Sequence, residues 1–156
     1  MSLLLSALVS LQTPGPYRLG IGRRGEQVVA VDSIASLENG RVVSAKDITF
    51  AARGKRFVYL GESHATAPHQ QLEADVIQAL VDDGREVVVG LEMYTRPKQS
   101  WLDAWTAGTL EEAEFLAKSD WKGQWGYDYA FYRPVFEAAK KARLPMVALN
   151  VPRDWV

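Results

Sequence analysis

The sequence predicts an α/β fold: a mainly parallel sheet flanked by helices, with an N-terminal β-hairpin ahead of it. Two patterns lead there. Apolar runs of strand length at Arg56–Leu60 (RFVYL), Glu86–Met93 (EVVVGLEM) and Met146–Val151 (MVALNV) alternate with segments whose apolar residues recur at helical spacing, the βαβ signature. Near the start, the turn signal Asn39-Gly40 separates two short β-prone stretches. At 156 residues, 47% of them hydrophobic, the chain can bury a core without disulfide or metal staples.

Leu3–Leu11 (LLLSALVSL) is apolar but far too short to span a bilayer. It is similar to the hydrophobic core of a secretory signal, yet no Lys or Arg precedes it and no clear A-x-A site follows. A signal-like segment and a buried or frayed, disordered N-terminal segment both stand as readings. Thr13-Pro14-Gly15-Pro16 breaks regular structure, so residues 1–16 are set apart and one α/β domain is expected over 17–156.

Gln27–Asp32 (QVVAVD) and Gly40–Ser44 (GRVVS) read as short strands of an N-terminal hairpin or an edge ornament, and Lys46–Arg53 as a short helix or an irregular stretch. Arg56–Leu60 opens the regular pattern and ends in the turn Gly61-Glu62-Ser63-His64. A helix follows, with Thr66 as N-cap, Pro68 in its first turn, Leu72, Val76, Ile77 and Leu80 on one face, and Gly84 as its stop. The valines of Glu86–Met93 and the unbroken apolar run of Met146–Val151 predict strands buried on both faces. Between them lie helices at Ser100–Ala107, at Leu110–Lys118 with Thr109 and Glu112 as a capping box, and at Tyr132–Arg143.

Charge and composition exclude several functions. Lys+Arg is 18 against Asp+Glu 19, so the basic surface of a nucleic-acid binder is missing. No cysteine is present, which removes disulfides, zinc–thiolate and iron–sulfur ligation, a thiol nucleophile and a lipidated cysteine from these residues. Two histidines are too few for an all-histidine metal cage.

In parallel sheets, ligands sit beyond the carboxyl ends of the strands. Glu62, Ser63 and His64 follow the first predicted strand, Glu92 ends the second, and Asn150 ends the third. A carboxylate at the end of VVVGLE is costly to bury without a partner or a task, which makes Glu92 the most informative residue; the plain alternative is a loop cap or an Arg partner. Glu62, His64 and Glu92 are the catalytic candidates, and they are expected to converge at the strand ends. His64, Glu92 and His69 are the candidate metal ligands, since an imidazole at a helix start stays neutral. His69 also has a plain reading as a helix-start residue. Trp121–Tyr132 (WKGQWGYDYAFY) is dense in rings. It reads either as core packing or as a flat apolar surface for a ring system, with Trp121 and Trp125 as platform and Tyr127, Tyr129 or Tyr132 as an oxygen ligand.

From Arg56 onward the residues carry a family resemblance. Phe57-Val58-Tyr59-Leu60-Gly61-Glu62-Ser63-His64 is followed by His69-Gln70, Gly90-Leu91-Glu92-Met93, Gln99, Leu102-Asp103, Trp105 and Gly108. Trp121, Trp125, Tyr127, Tyr132-Arg133-Pro134 and Ala148-Leu149-Asn150-Val151-Pro152 complete the set. In this order they resemble the ChaN-like haem-binding uptake family, within the superfamily of TraB, Tiki and erythromycin esterase. The resemblance implies a bacterial α/β protein linked to haem binding or iron acquisition, with site residues at His64 and Glu92. It also implies export, with a periplasmic location and, lacking cysteine, no lipid anchor. Chains of that family continue further and carry another histidine motif in their second half, so the expected sheet is incomplete relative to the family.

The first reading is therefore a haem- or iron-related binding protein with haem as cofactor. The alternatives are a hydrolase of the erythromycin esterase or Tiki type, in which His64 and Glu92 work with a divalent metal, and a truncated remnant without activity. The expected partner is haem or another small molecule, not nucleic acid and not a membrane span. Because Met146–Val151 lies near the chain end with no room for a following crossover, a homo-oligomer or a longer native chain is expected.

Overall fold

A computed structural model describes residues 17–21, 25–30 and 33–155. The segment 1–16 lies outside the described residues. The chain divides into two units, at residues 1–44 and 45–156.

The first unit contains two antiparallel hairpins rather than one. β1 (Tyr17–Ile21) pairs with β2 (Gly25–Val29), Tyr17 opposite Val29. β3 (Ile34–Ala35) pairs with β4 (Val42–Val43). This corrects the expected pairing of Gln27–Asp32 with Gly40–Ser44. A tight turn joins the residues next to it, so Asn39-Gly40, with Gly40 at φ 73°, closes β4 onto β3, and β2 finds its partner upstream. Asp32 falls outside the described residues.

The second unit opens with α1 (Ala45–Ala51), which resolves the ambiguous stretch as helix. Arg85 ties it to the following helix by donating to the carbonyl oxygens of Thr49 and Ala52. α2 (Ala67–Asp82) starts and stops where the sequence predicts. Gly84, at φ 75°, completes a Schellman closure: its N–H donates to Val81 O and the Arg85 N–H to Leu80 O.

Arg56–Leu60 is not a strand. Among the described residues no backbone hydrogen bond joins it to a neighbour, and its apolar side chains are exposed, Tyr59 at 88%. Strand composition is a local property, whereas a ladder needs a second segment beside it.

The parallel element of the fold is β5 (Val89–Thr95) paired with β6 (Met146–Asn150). Val89 lies opposite Met146 and Leu91 opposite Ala148. The register then slips, so that Thr95 faces Asn150. The bulge therefore falls on Glu92, Met93 and Tyr94 of β5. On the other edge of β6 the Gln99 amide acts like a neighbouring strand, donating to Met146 O and accepting from Ala148 N–H. Neither strand is buried on both faces, contrary to the sequence expectation. Val89, Leu91, Met146 and Ala148 face the core, while Gly90, Glu92 and Leu149 are exposed. Helices cover one face only, so alternation rather than a continuous buried run describes both strands.

That covered face packs against α3 (Gln99–Thr106), α4 (Glu112–Ser119), α5 (Trp121–Gln124) and α6 (Tyr129–Ala142). Trp105, Tyr94, Phe115, Phe136 and Tyr132 are fully buried; among them, Trp105 Nε1 donates to Phe136 O, and Tyr94 Oη pairs with Ser119 Oγ at 2.8 Å. The Thr109–Glu112 capping box does not form. Thr109 Oγ1 donates to Ala104 O, α4 begins two residues later than expected, and Glu112 instead takes a two-pronged pair with Arg133 at 2.7 and 2.8 Å. α6 begins three residues before Tyr132 because Asp128 caps it, its Oδ1 accepting from Ala130 N–H. No helix among the described residues is long and apolar enough to cross a membrane.

Candidate functional site

The site is built on the turn Gly61-Glu62-Ser63-His64-Ala65, which enters α2. With no ladder before it, side chains from α2 and α6 hold it. His69, in the first turn of α2, accepts the Ser63 N–H on Nδ1 at 2.9 Å. Tyr132, from α6, accepts the Ala65 N–H on its hydroxyl at 3.2 Å and donates that hydroxyl to Glu62 Oε1 at 2.9 Å. Ala65 adopts φ 53°, a left-handed conformation that costs a residue with a Cβ about 1 kcal/mol. The turn is thus set by specific contacts and not by backbone preference.

Glu62 Oε1 also meets His64 Nδ1 at 2.8 Å. A carboxylate only accepts, so Nδ1 carries the proton, and in the neutral ring the lone pair is on Nε2. The His64 side chain is 39% exposed and the Glu62 side chain 5%. The His64 ring sits edge-on to Trp125, with centroids 4.7 Å apart, and 5.1 Å from the Tyr127 ring. Glu92, from the bulge of β5, completes a trio: Glu62, His64 and Glu92 each offer a ligand atom within 4.8 Å of the others. The three residues converge, but Glu92 does so from the exposed face of its strand, so the cost of burying its carboxylate does not arise.

Glu62 Oε2 is buried and has no hydrogen-bond partner. An unpartnered buried carboxylate oxygen is expensive, and a cation is the group that satisfies it best. Two carboxylates and one imidazole form a hard-to-borderline donor set suited to a divalent ion such as Mn²⁺, Fe²⁺ or Zn²⁺. Excess negative charge is also felt by Glu73 on α2. Burial first, then the Glu62 and Glu92 carboxylates, raise its carboxyl from 4.5 to about 7. Sequence reasoning missed Glu73; its signal was the i, i+4 spacing from His69, which puts both on one face of α2. His69 stands outside the trio, with Nδ1 committed to Ser63.

The aromatic segment is divided by burial. Trp121, Tyr129 and Tyr132 are core residues. Trp121 Nε1 donates to Tyr127 O, and the Tyr129 hydroxyl is buried without a partner. Burial raises the Tyr132 hydroxyl above its ordinary value and the Glu62 carboxylate adds to the rise, which keeps the hydroxyl a donor. Trp125 and Tyr127 are the pair that face His64, and Tyr127 is 42% exposed. Of the three tyrosines proposed to meet haem iron, Tyr127 is the one with an accessible ring. An open, mainly apolar hollow of about 530 Å³ lies where α2 and α6 begin, lined by Ala67, Pro68, Ala130, Phe131 and Pro134 with Gln71 and Asp128.

Fold and site together define an α/β domain in which a turn after Leu60 and a bulged strand bring a carboxylate–histidine–carboxylate trio beside the exposed ring of Tyr127 and the partly buried ring of Trp125. A family model for haem-binding uptake proteins of the Tiki superfamily, ChaN, matches residues 49–156, and the chain belongs to that family. No curated protein and no solved structure matches the chain.

Proposed function

We propose that this protein binds haem, or iron derived from it, at the surface formed by His64, Trp125 and Tyr127, and serves iron acquisition. The observation that carries this reading is the presentation of His64. Its Nδ1 is held by Glu62, its Nε2 is free, and two aromatic rings flank it in a chain of a haem-binding family. Imidazole nitrogen and phenol oxygen are both established haem-iron ligands, and the flanking rings give a flat macrocycle apolar contact. His64 and Tyr127 are the residues that would hold the group. Titration of the full chain with hemin tests this: a saturable Soret shift is expected, and a spectrum equal to that of free hemin would reject it.

A second reading is favoured by one observation, the orphaned Glu62 Oε2 within the trio. It is metal-assisted hydrolysis. A cation held there would supply positive charge to polarise a carbonyl group. The chain's own residues would do the rest: His64 Nε2 takes a proton, Glu62 fixes the ring, and Glu92 supplies a second carboxylate. His64→Ala and Glu92→Gln should each abolish turnover of an ester or peptide substrate with the fold intact. Undiminished activity in His64→Ala would reject this assignment.

A further inference from the structure

We propose that Tyr132 is a positioning residue, which through Glu62 decides which nitrogen of His64 faces the ligand. The inference rests on the reading above, in which His64 is the working group. Tyr132 is fully buried, its ring between Trp121 and Trp125 at centroid distances of 5.3 and 6.1 Å. It does not approach the ligand side itself. Its hydroxyl reaches a residue on each side of His64, donating to Glu62 Oε1 at 2.9 Å and accepting from Ala65 N–H at 3.2 Å.

Glu62 Oε1 has two lone-pair directions. One receives the Tyr132 hydroxyl, and the other receives His64 Nδ1–H. With Tyr132 in place the carboxylate cannot turn away from the ring, so the Nδ1–H tautomer is held and Nε2 points outward. Among the described residues Arg56–Leu60 pairs with no strand, and Ala65 is left-handed, so the backbone does not fix this orientation. The phenol of α6 does, from 67 residues away. Outer partners of this kind typically change metal affinity by about 10–100-fold.

The test compares the full chain with Tyr132→Phe, which removes one oxygen and keeps the ring. Long-range ¹H–¹⁵N spectra report the tautomer of neutral His64 directly, and hydrogen exchange reports the Ala65 amide. Wild type should show Nδ1–H at His64 and a protected Ala65 amide. In Tyr132→Phe the tautomers should mix, the Ala65 amide should exchange faster, and Mn²⁺ should bind about 10–100-fold more weakly. A folded Tyr132→Phe whose His64 tautomer is unchanged would overturn the proposal. If wild type binds neither Mn²⁺ nor hemin, the functional reading fails, while the tautomer comparison still decides the role of Tyr132. If Tyr132→Phe does not fold, the wild type alone decides: an Nδ1–H tautomer with a slowly exchanging Tyr132 hydroxyl proton supports the role, and an Nε2–H tautomer contradicts it.

Discussion

Glu62 Oε1 lies 2.8 Å from His64 Nδ1, and this contact turns a two-residue sequence spacing into a defined imidazole. The carboxylate is almost wholly buried while the ring it holds is partly open, so proton and lone pair are assigned on the inner side and used on the outer. Its other oxygen, buried and unpartnered, marks the place where positive charge is wanted.

The three tyrosines should separate in a hemin titration. Tyr127→Phe should weaken binding and alter the Soret band, since its ring is accessible and beside His64. Tyr129→Phe should leave the spectrum unchanged, because its hydroxyl is enclosed in the core. The reverse order would place the ligand elsewhere.

Glu73 gives the pH dependence. Its folded value of about 7 exceeds the ordinary 4.5, so the folded protein keeps a proton that the unfolded chain has lost. That contribution is fully present below about 4.5 and is lost as pH rises through about 7. Glu73→Gln, which cannot ionise, should match wild type at pH 4.5 and exceed it at pH 8. Glu73 is partly exposed, and solvent screening holds the difference to about 1 kcal/mol. Urea denaturation of both proteins at the two pH values measures it. A variant less stable than wild type at pH 8 would contradict the account.

Gln70 is fully buried, and neither atom of its amide has a partner. Gln70→Leu keeps the volume and removes both unpaired groups, so stability should rise by about 1 kcal/mol in chemical denaturation. A loss of stability would mean that the amide is satisfied by a bound group.

Association follows from the uncovered surface. Leu149 and Val88 are exposed at β6 and just ahead of β5, and Phe57 and Tyr59 are exposed in the unpaired segment. Apolar surface of this kind recruits a second chain or binds hydrophobic dye. Light scattering after size exclusion should give a mass above 17.4 kDa, reduced toward it by Leu149→Lys. A clean monomer that binds no dye would refute this.

Much of the fold was legible because it is local. The spacing of Leu72, Val76, Ile77 and Leu80, closed by Gly84, defines α2 without reference to anything else, and the ordered motif around Glu62, His64 and Glu92 marks the site. What the sequence hid is pairwise. Thr109 and Glu112 form a capping box on paper, but Glu112 gains more from the guanidinium of Arg133, a residue 21 positions away. Arg56–Leu60 has the side chains of a strand, but among the described residues no segment pairs with it. Glu86–Met93 reads as buried on both sides, because apolar composition does not say how many faces have helices to cover them. Tyr132 reads from sequence as one of three candidate oxygen ligands for a ring system, not as a partner of Glu62. Its part in the site depends on a hydroxyl meeting Glu62 across 70 residues, which no local pattern records.

His64, held by Glu62, is the group proposed to meet the ligand. This is tested most directly by hemin titration of the full chain beside His64→Ala, followed at the Soret band with circular dichroism as a check on folding. Wild type should give a saturable shift, and folded His64→Ala should lose it or weaken it by more than about 100-fold, beyond what loss of an outer support alone produces. Equal binding by the two proteins would contradict the account.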